Sequence, residues 1–486
     1  MKRLKVLFTS CLFAVAIVAG QSAESRAQDD RIQPYADNPR YWQYEGEPVL
    51  LLGGSEDDNL FQIPDLEEHL DLLASVGGNY IRNTMSARVI KGFEIQAFGK
   101  SPDGKYDLDQ WNEEYWDRFE TLLRLADERE IIVQIEVWDR FDYTDYGRFQ
   151  SWSYCPYNPA NNVNYTSEES GLKTAYPAAN HPSADKQPFF HTVPEMDDNI
   201  VPRKYQEAFV DKMLSHSLRY GNVLYCMNNE TCTPPAWGQY WMTYIQSRAS
   251  QADVEVFTTD MFDEGWDLRD HADYRTAFDA PGLYTFLDIS QNNANKNTVA
   301  KHWENIRFAH GRTQDDPRPI NNVKVYGADE YPPTSAYQKR VYYRWGSQSA
   351  IRSFVMNVLG GCASTRFHRN ESNGLGLTEP ARNCIEAVRK LESLIKMWEV
   401  NPDNSLLSEH DADTIFLAAK PGEQYAIYFV DGGSVVLTLP ERHNYQLRWI
   451  SIETGRWGPE GSLVDGDKVV ISAPAEGGWI ATVIRQ

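Results

Sequence analysis

Two acidic side chains stand where runs of apolar residues break off. Val223-Leu224-Tyr225-Cys226-Met227 stops abruptly in Asn228-Asn229-Glu230, and Val323-Lys324-Val325-Tyr326 stops in Gly327-Ala328-Asp329-Glu330. Paired carboxyl groups facing each other across a gap are what cleavage of a glycosidic bond requires. One protonates the departing oxygen, and the other attacks the anomeric carbon or activates water. Their spacing sets the stereochemistry, with ~5–5.5 Å giving retention. A single Asn-Glu dipeptide carries little, because a Glu at a helix start serves equally well to satisfy the helix dipole. Two such ends, on the fourth and seventh runs of a repeating chain, carry more.

Other polar residues close the remaining runs. Arg82-Asn83 ends the second, where Arg82 on its own residue type reads as a member of a surface ion pair. The third ends Glu136-Val137-Trp138-Asp139-Arg140, and Trp138 is read as a flat platform for a sugar ring, with packing at the mouth as the alternative. Asp260, Asn292, and Arg366 with His368 follow the fifth, sixth and eighth runs, where they bind hydroxyls or cap the next helix. Gly53-Gly54-Ser55-Glu56-Asp57-Asp58, after the first, is too acidic to cradle phosphate and lacks a Walker lysine, which leaves sugar hydroxyls or a solvated turn. Gly-x-Ser-x-Gly, Gly-x-Gly-x-x-Gly, Cys-x-x-Cys and calcium-loop spacings are absent, so neither a cofactor nor a metal is expected.

The elements that must hold these residues follow from the pattern. Eight short apolar runs read as strands: Val49–Gly53, Tyr80–Thr84, Ile131–Trp138, Val223–Asn228, Val254–Thr259, Tyr284–Ile289, Val323–Tyr326 and Gly361–Arg366. Amphipathic stretches separate them, such as Leu66, Leu70, Leu73 and Val76 before Gly77-Gly78, and Trp111, Tyr115, Phe119, Leu122 and Ala126. The fold class expected is therefore α/β, a (β/α)8 TIM barrel over 28–400 whose working residues lie at the strand C-terminal ends. A long aperiodic insertion from Arg140 to Val201 carries Tyr143, Trp152, Tyr154 and Tyr157, read as a lid or cleft wall. After Trp398 the pattern changes to short alternating runs divided by Gly turns, which predicts a C-terminal antiparallel β-sandwich domain over 401–486.

Composition narrows the partners. With 47 basic and 69 acidic residues the net charge is −22, which argues against nucleic acid and against an anionic membrane surface. Lys2, Arg3 and Lys5 precede an uncharged run from Val6 to Gly20 and then Ser25-Arg26-Ala27, which reads as a signal peptide over 1–27 and hence a secreted or periplasmic protein. Five cysteines remain beyond it, Cys155, Cys226, Cys232, Cys362 and Cys384, with Cys226 and Cys232 close enough in sequence to bridge a loop.

The Asn229-Glu230 pair and Glu330, on strands four and seven, resemble the arrangement of clan A glycoside hydrolases, which are retaining (β/α)8 enzymes. The resemblance implies that Glu230 is the acid/base, Glu330 the nucleophile, Asn229 a contact to the sugar 2-hydroxyl, and Arg82 a neighbour of the nucleophile that keeps it ionised. Ala-Asp-Glu-Tyr stands where the clan more often has Thr-Glu-Phe or Thr-Glu-Tyr, so Asp329 competes for the nucleophile's role. The tail, with Asp431-Gly432-Gly433, Leu447-Arg448-Trp449, Thr454-Gly455-Arg456-Trp457 and Gly477-Gly478-Trp479, resembles the collagen-binding-domain-like sandwich of apiosidase-like bacterial glycoside hydrolases. The function expected is a secreted retaining glycoside hydrolase acting on a carbohydrate substrate by double displacement. Glu230 must then hold its proton more tightly than Glu330 in the free enzyme. A carbohydrate-binding protein without turnover, and a lyase or transglycosylase on the same scaffold, are the alternatives.

Overall fold

The computed structural model describes residues 30–486 except 89–90, 147–148, 181–182, 264–266, 292–298, 329–345, 412, 441–442 and 465. The expected signal peptide, Asn292, Asp329 and Glu330 lie outside the described residues. No described helix is long and apolar enough to cross a membrane.

Eight strands follow one another through the first part of the chain: β1 (Leu51–Gly54), β2 (Tyr80–Thr84), β3 (Ile132–Asp139), β4 (Val223–Asn229), β5 (Thr258–Thr259), β6 (Leu287–Asp288), β7 (Ile320–Asn321) and β8 (Ser364–Phe367). Six form one parallel sheet in the order β5-β4-β3-β2-β1-β8, curled like a half-barrel, and β6 and β7 form a parallel pair. Every residue of β3 and β4 is buried, as expected of parallel strands covered on both faces. Backbone bonds run from the pair to both edges of the large sheet: Thr285 N donates to Thr258 O at 3.0 Å, and Ala363 N to Ile320 O at 2.8 Å. β1 and β2 approach so closely that a Cβ at Gly53 would lie 1.8 Å from the Tyr80 carbonyl oxygen, a place that only glycine fills.

Helices between the strands bury the stripes their spacing requires. α1 (Leu66–Ser75) buries Leu66, Leu70 and Leu73, and it stops where Gly77 turns to φ +78°. α2 (Glu113–Asp127) buries Tyr115, Phe119, Leu122 and Ala126, whereas Trp111 ends a short strand before it. α3 (Ile200–Ser217), α4 (Pro235–Gln251), α5 (Ala272–Asp279), α6 (Val299–Arg312), α7 (Ser347–Leu359) and α8 (Glu379–Leu394) follow.

Three expectations need correction. The seventh strand lies at Ile320–Asn321 rather than Val323–Tyr326, because side chains interrupt its ladder: Val323 N donates to Ser290 Oγ at 2.7 Å and Lys324 N to Asn322 Oδ1 at 3.2 Å. Val325 keeps one parallel bridge, to Phe367. The aromatics of the insertion are mostly core. Tyr143, Trp152 and Tyr157 are buried against Phe189, and only Tyr154, 60% exposed, faces solvent. Cys226 and Cys232 form no bridge. They and Cys155, Cys362 and Cys384 are buried thiols outside any disulfide.

From residue 401 the strands are antiparallel. β9 (Ile415–Lys420), β10 (Gln424–Phe429), β12 (Tyr445–Ser451), β13 (Trp457–Val464) and β15 (Trp479–Arg485) belong to one sheet, while β11 (Ser434–Thr438) and β14 (Lys468–Ser472) belong to a second. Leu417, Ile427, Phe429 and Val483 of the first sheet share a core with Val435, Leu437 and Ile471 of the second. The opposite face of the first sheet, with Phe416, Ala418, Tyr428, Ile450 and Ile480, joins the main core. Trp303 of α6 meets Phe416 at 5.0 Å between ring centroids, and Asn383 of α8 donates to the Glu453 carbonyl at 2.6 Å. The larger sheet is thus apolar on both sides, which explains why β10 is almost wholly buried.

Candidate active site

Glu230 directly follows β4 with φ +62°, a left-handed conformation that costs a residue with a Cβ of the order of 1–2 kcal/mol and persists only where the surroundings enforce it. The enforcement is visible on both sides. Thr231 N donates to Met261 O at 2.8 Å, Asp263 N donates back to Thr231 O at 3.0 Å, and Asp185 from the insertion accepts from Thr231 Oγ1 at 2.9 Å and from Cys232 N.

The carboxylate so aimed is 8% exposed as a residue and meets side chains from three other strand ends. Lys324 Nζ, after β7, donates to Glu230 Oε1 at 2.5 Å and to Asn229 Oδ1 at 2.5 Å. Gln291 Nε2, after β6, reaches Oε1 at 2.7 Å, and the Tyr326 hydroxyl at 3.3 Å. Arg140 Nη2, after β3, reaches Oε2 at 3.1 Å and Asp263 Oδ2 at 2.5 Å. Both oxygens of Glu230 therefore carry a cation, and both cations are 1% exposed.

A second group of charges lies beside the first. Arg82 chelates Glu136, with Nε at 2.8 Å from Oε1 and Nη2 on Oε2, and donates through Nη1 to Asp58 Oδ1 at 2.6 Å. Arg88 bridges Asp58 Oδ2 at 2.8 Å and Asp139 Oδ2 at 2.6 Å, and Asp139 Oδ1 accepts from Asn229 Nδ2 at 3.0 Å. Burial opposes charge on Asp58, but Arg369, Arg82 and Arg88 outweigh it and hold the carboxyl well below its usual range. The acidic turn after the first strand is thus neither a phosphate cradle nor solvated. It is a buried hub for arginines.

The residues expected at the rim divide accordingly. Glu230, Asn229 and Arg82 fall into this linked set, Arg82 through Asp58, Arg88 and Asp139. His368 joins through Tyr326, whose ring lies 4.6 Å away. Burial pushes its imidazole far down, so it stands neutral. Arg366 makes no contact with Glu230. It donates to Val323 O at 2.7 Å and to Ser55 Oγ, and burial followed by repulsion from Arg82 pulls its guanidinium down to about 9.

Trp138 and Asp260 are corrected outright. Trp138 is fully buried among Tyr143, Phe189, Phe209, Trp237 and Trp241, so neither ring face is open to a sugar. Asp260 accepts from Asn228 Nδ2 on both oxygens, at 2.9 and 3.0 Å, and lies against Gly238 of α4, where a Cβ would come within 2.1 Å of Oδ2. It binds neighbouring structure, not hydroxyls. Burial raises the Asp260 carboxyl to about 7, against 3.8 when the chain is unfolded. The fold then holds a proton that the unfolded chain releases, so stability is full below pH 3.8 and falls as pH rises through 7. The slope is at most about 1.4 kcal/mol per pH unit. Asp260→Asn removes that slope, and urea midpoints at pH 5 and pH 8 should differ less in the variant than in the parent.

Lys324, Arg140, Gln291, Tyr326, Asp263 and Arg88 were not singled out. Lys324 had a readable signal, a lone charge between Val323 and Val325 in an otherwise apolar run. Gln291 had none.

A family model described as a domain of unknown function (DUF6298) matches residues 96–260, a span that holds β3, β4, Glu230 and Asp260. No curated protein matches the sequence. Among solved structures, a glycoside hydrolase family 5 protein from Bacteroides vulgatus ATCC 8482 is similar at TM-score 0.59 and 12% identity over 95% of each chain. A protein described as a glycoside hydrolase is similar at TM-score 0.61 and 12% identity, over 95% of this chain and 98% of that one. A putative glycoside hydrolase from the same Bacteroides vulgatus strain is similar at TM-score 0.60 and 11% identity, over 94% and 83%. At such identities the likeness is one of fold.

Proposed function

We propose that this chain is a secreted glycoside hydrolase, that its eight parallel strands close into a barrel, and that it cleaves a poly- or oligosaccharide with retention. The observation that carries the reading is Glu230, held in a left-handed turn at the end of β4 beside Asn229 and ringed by donors from β3, β6 and β7. Glu230 is the acid/base and Glu330, or Asp329 next to it, the nucleophile. The fold likeness to glycoside hydrolases supports this. The apiosidase-like specificity and the collagen-binding-domain-like form of the C-terminal sheets belong to the same proposal.

The ion pairs add a condition. With Lys324 on one oxygen and Arg140 on the other, Glu230 can hand a proton to a leaving oxygen only once a cation yields its place. These ion pairs speak against the expected tighter hold on a proton in the free enzyme, and we place that hold in the substrate complex instead. The same ion pairs favour the rival reading, a binding protein without turnover. Incubating the full chain with a panel of polysaccharides separates the two. New reducing ends, with the first-formed anomer matching the substrate by NMR, are the expected result. Binding without new ends, an inverted anomer or an unsaturated product would each overturn it.

A further inference from the structure

At the opposite end of the strands from Glu230 a cleft of about 170 Å³ opens between the end of α6, the segment around Tyr41, Gly361 before β8, and the Val400–Pro402 stretch that leads into the C-terminal sheets. Arg40 and Arg307 both line it. Among the described residues no carboxylate lies within 4 Å of either guanidinium. Arg40 Nη1 donates to His310 Nδ1 at 2.8 Å, and Arg307 has no hydrogen-bond partner among the described residues. Asp403, whose field reaches Arg307, spends its Oδ1 on Ser405 N at 3.1 Å and Ser405 Oγ at 2.5 Å.

Two cations without a described carboxylate within 4 Å face one cleft, Arg40 half-buried and Arg307 exposed, and their neighbourhood registers the charge. Burial, then Arg40 and Arg307, push the His310 imidazole down to about 3, so the ring is neutral and its Nδ1 accepts from Arg40. In a chain of net charge −22, with carboxylates available in excess, none of the described ones comes within 4 Å of either guanidinium. The side-chain amides of Gln314 and Asn401 also line the cleft and make no hydrogen bond to described residues. Size narrows the occupant. The cleft is smaller than the ~300–1,000 Å³ typical of cofactor pockets, but holds several times the ~30 Å³ share of one water. Guanidinium pairs match tetrahedral oxyanions by parallel N–H donation.

We propose that this cleft binds a small tetrahedral oxyanion, phosphate or sulfate, between Arg40 and Arg307, where it ties α6 and the amino-terminal segment to the stretch entering the C-terminal sheets. The anion is free in solution or is the ester group of a glycan. Thermal unfolding of the full chain, titrated with inorganic phosphate and with sulfate at ionic strength held constant by sodium chloride, tests this. A saturable rise in midpoint beyond the chloride control is expected, with affinity at least tenfold weaker in Arg307→Met, whose exposed side chain can change without disturbing the core. Arg40→Met, read by the same titration, is the second arm. Glucose 6-phosphate and glucose 6-sulfate binding more tightly than the inorganic ions identifies the ester as the source, and the reverse identifies the free ion. A midpoint that follows ionic strength alone, or a shift retained in both variants, overturns the proposal. Neither outcome bears on Glu230, which lies at the other end of the strands.

Discussion

Glu230→Gln is expected to lower the turnover of substrates with poor leaving groups by ~10²–10⁴-fold, the usual range for removing a general acid. Aryl glycosides whose leaving group needs no proton should be formed into the glycosyl-enzyme almost as before, so their loss falls on the second, hydrolytic step. Azide, a nucleophile that needs no general base, should then restore their turnover and yield a glycosyl azide. The size of the difference between the two substrate types decides the assignment. Equal losses on both would make Glu230 a structural ion-pair partner of Lys324 and Arg140, a role its contacts would also serve. Glutamine keeps the shape and still accepts from Lys324, so the turn around φ +62° should survive the exchange.

The second large effect concerns stability. Arg82 is 0% exposed and holds both oxygens of Glu136, itself 0% exposed. Arg82→Met leaves that carboxylate without its cation in a region closed to water, and breaking a buried pair in this way costs about 3–5 kcal/mol. Asp58 suffers less, because Arg88 and Arg369 remain on it at 2.8 and 3.2 Å. The double variant Arg82→Met, Glu136→Leu removes the stranded charge and should recover more than half of the loss, as measured by urea denaturation. A single variant within 1 kcal/mol of the parent would show that the arginine hub contributes little to holding the strand ends.

The parts legible in the sequence were those in which one physical cause acts alone. β4 is buried on both faces, so an unbroken apolar run from Val223 to Met227 marks it, and its abrupt end marks Asn229 and Glu230. Where two causes compete, the reading failed. Glu136 meets Arg82, and Asp139 meets Arg88 and Asn229 in the same charge network, yet strict alternation cannot place residues three apart on one face. β3 and β4 keep one register from Val223–Val133 to Asn229–Asp139, so the pairing itself gives no sign of which end residues enter the network. Asp260 misled for a related reason: a polar residue at a strand end looks the same whether it faces a ligand or the flanking helix. The strands of the tail were legible where they alternate. Trp457–Val464, with two glycines and a proline, was not, and neither was Trp479–Arg485, whose start was read as part of a glycine turn.

The larger C-terminal sheet has a dry surface on each side, one against its partner sheet and the other against α6 to α8. Such a sheet is no detachable accessory that can be clipped off or grafted onto another enzyme. Whoever transplants it must bring the helical wall as well, because neither piece owns the whole of the boundary they share.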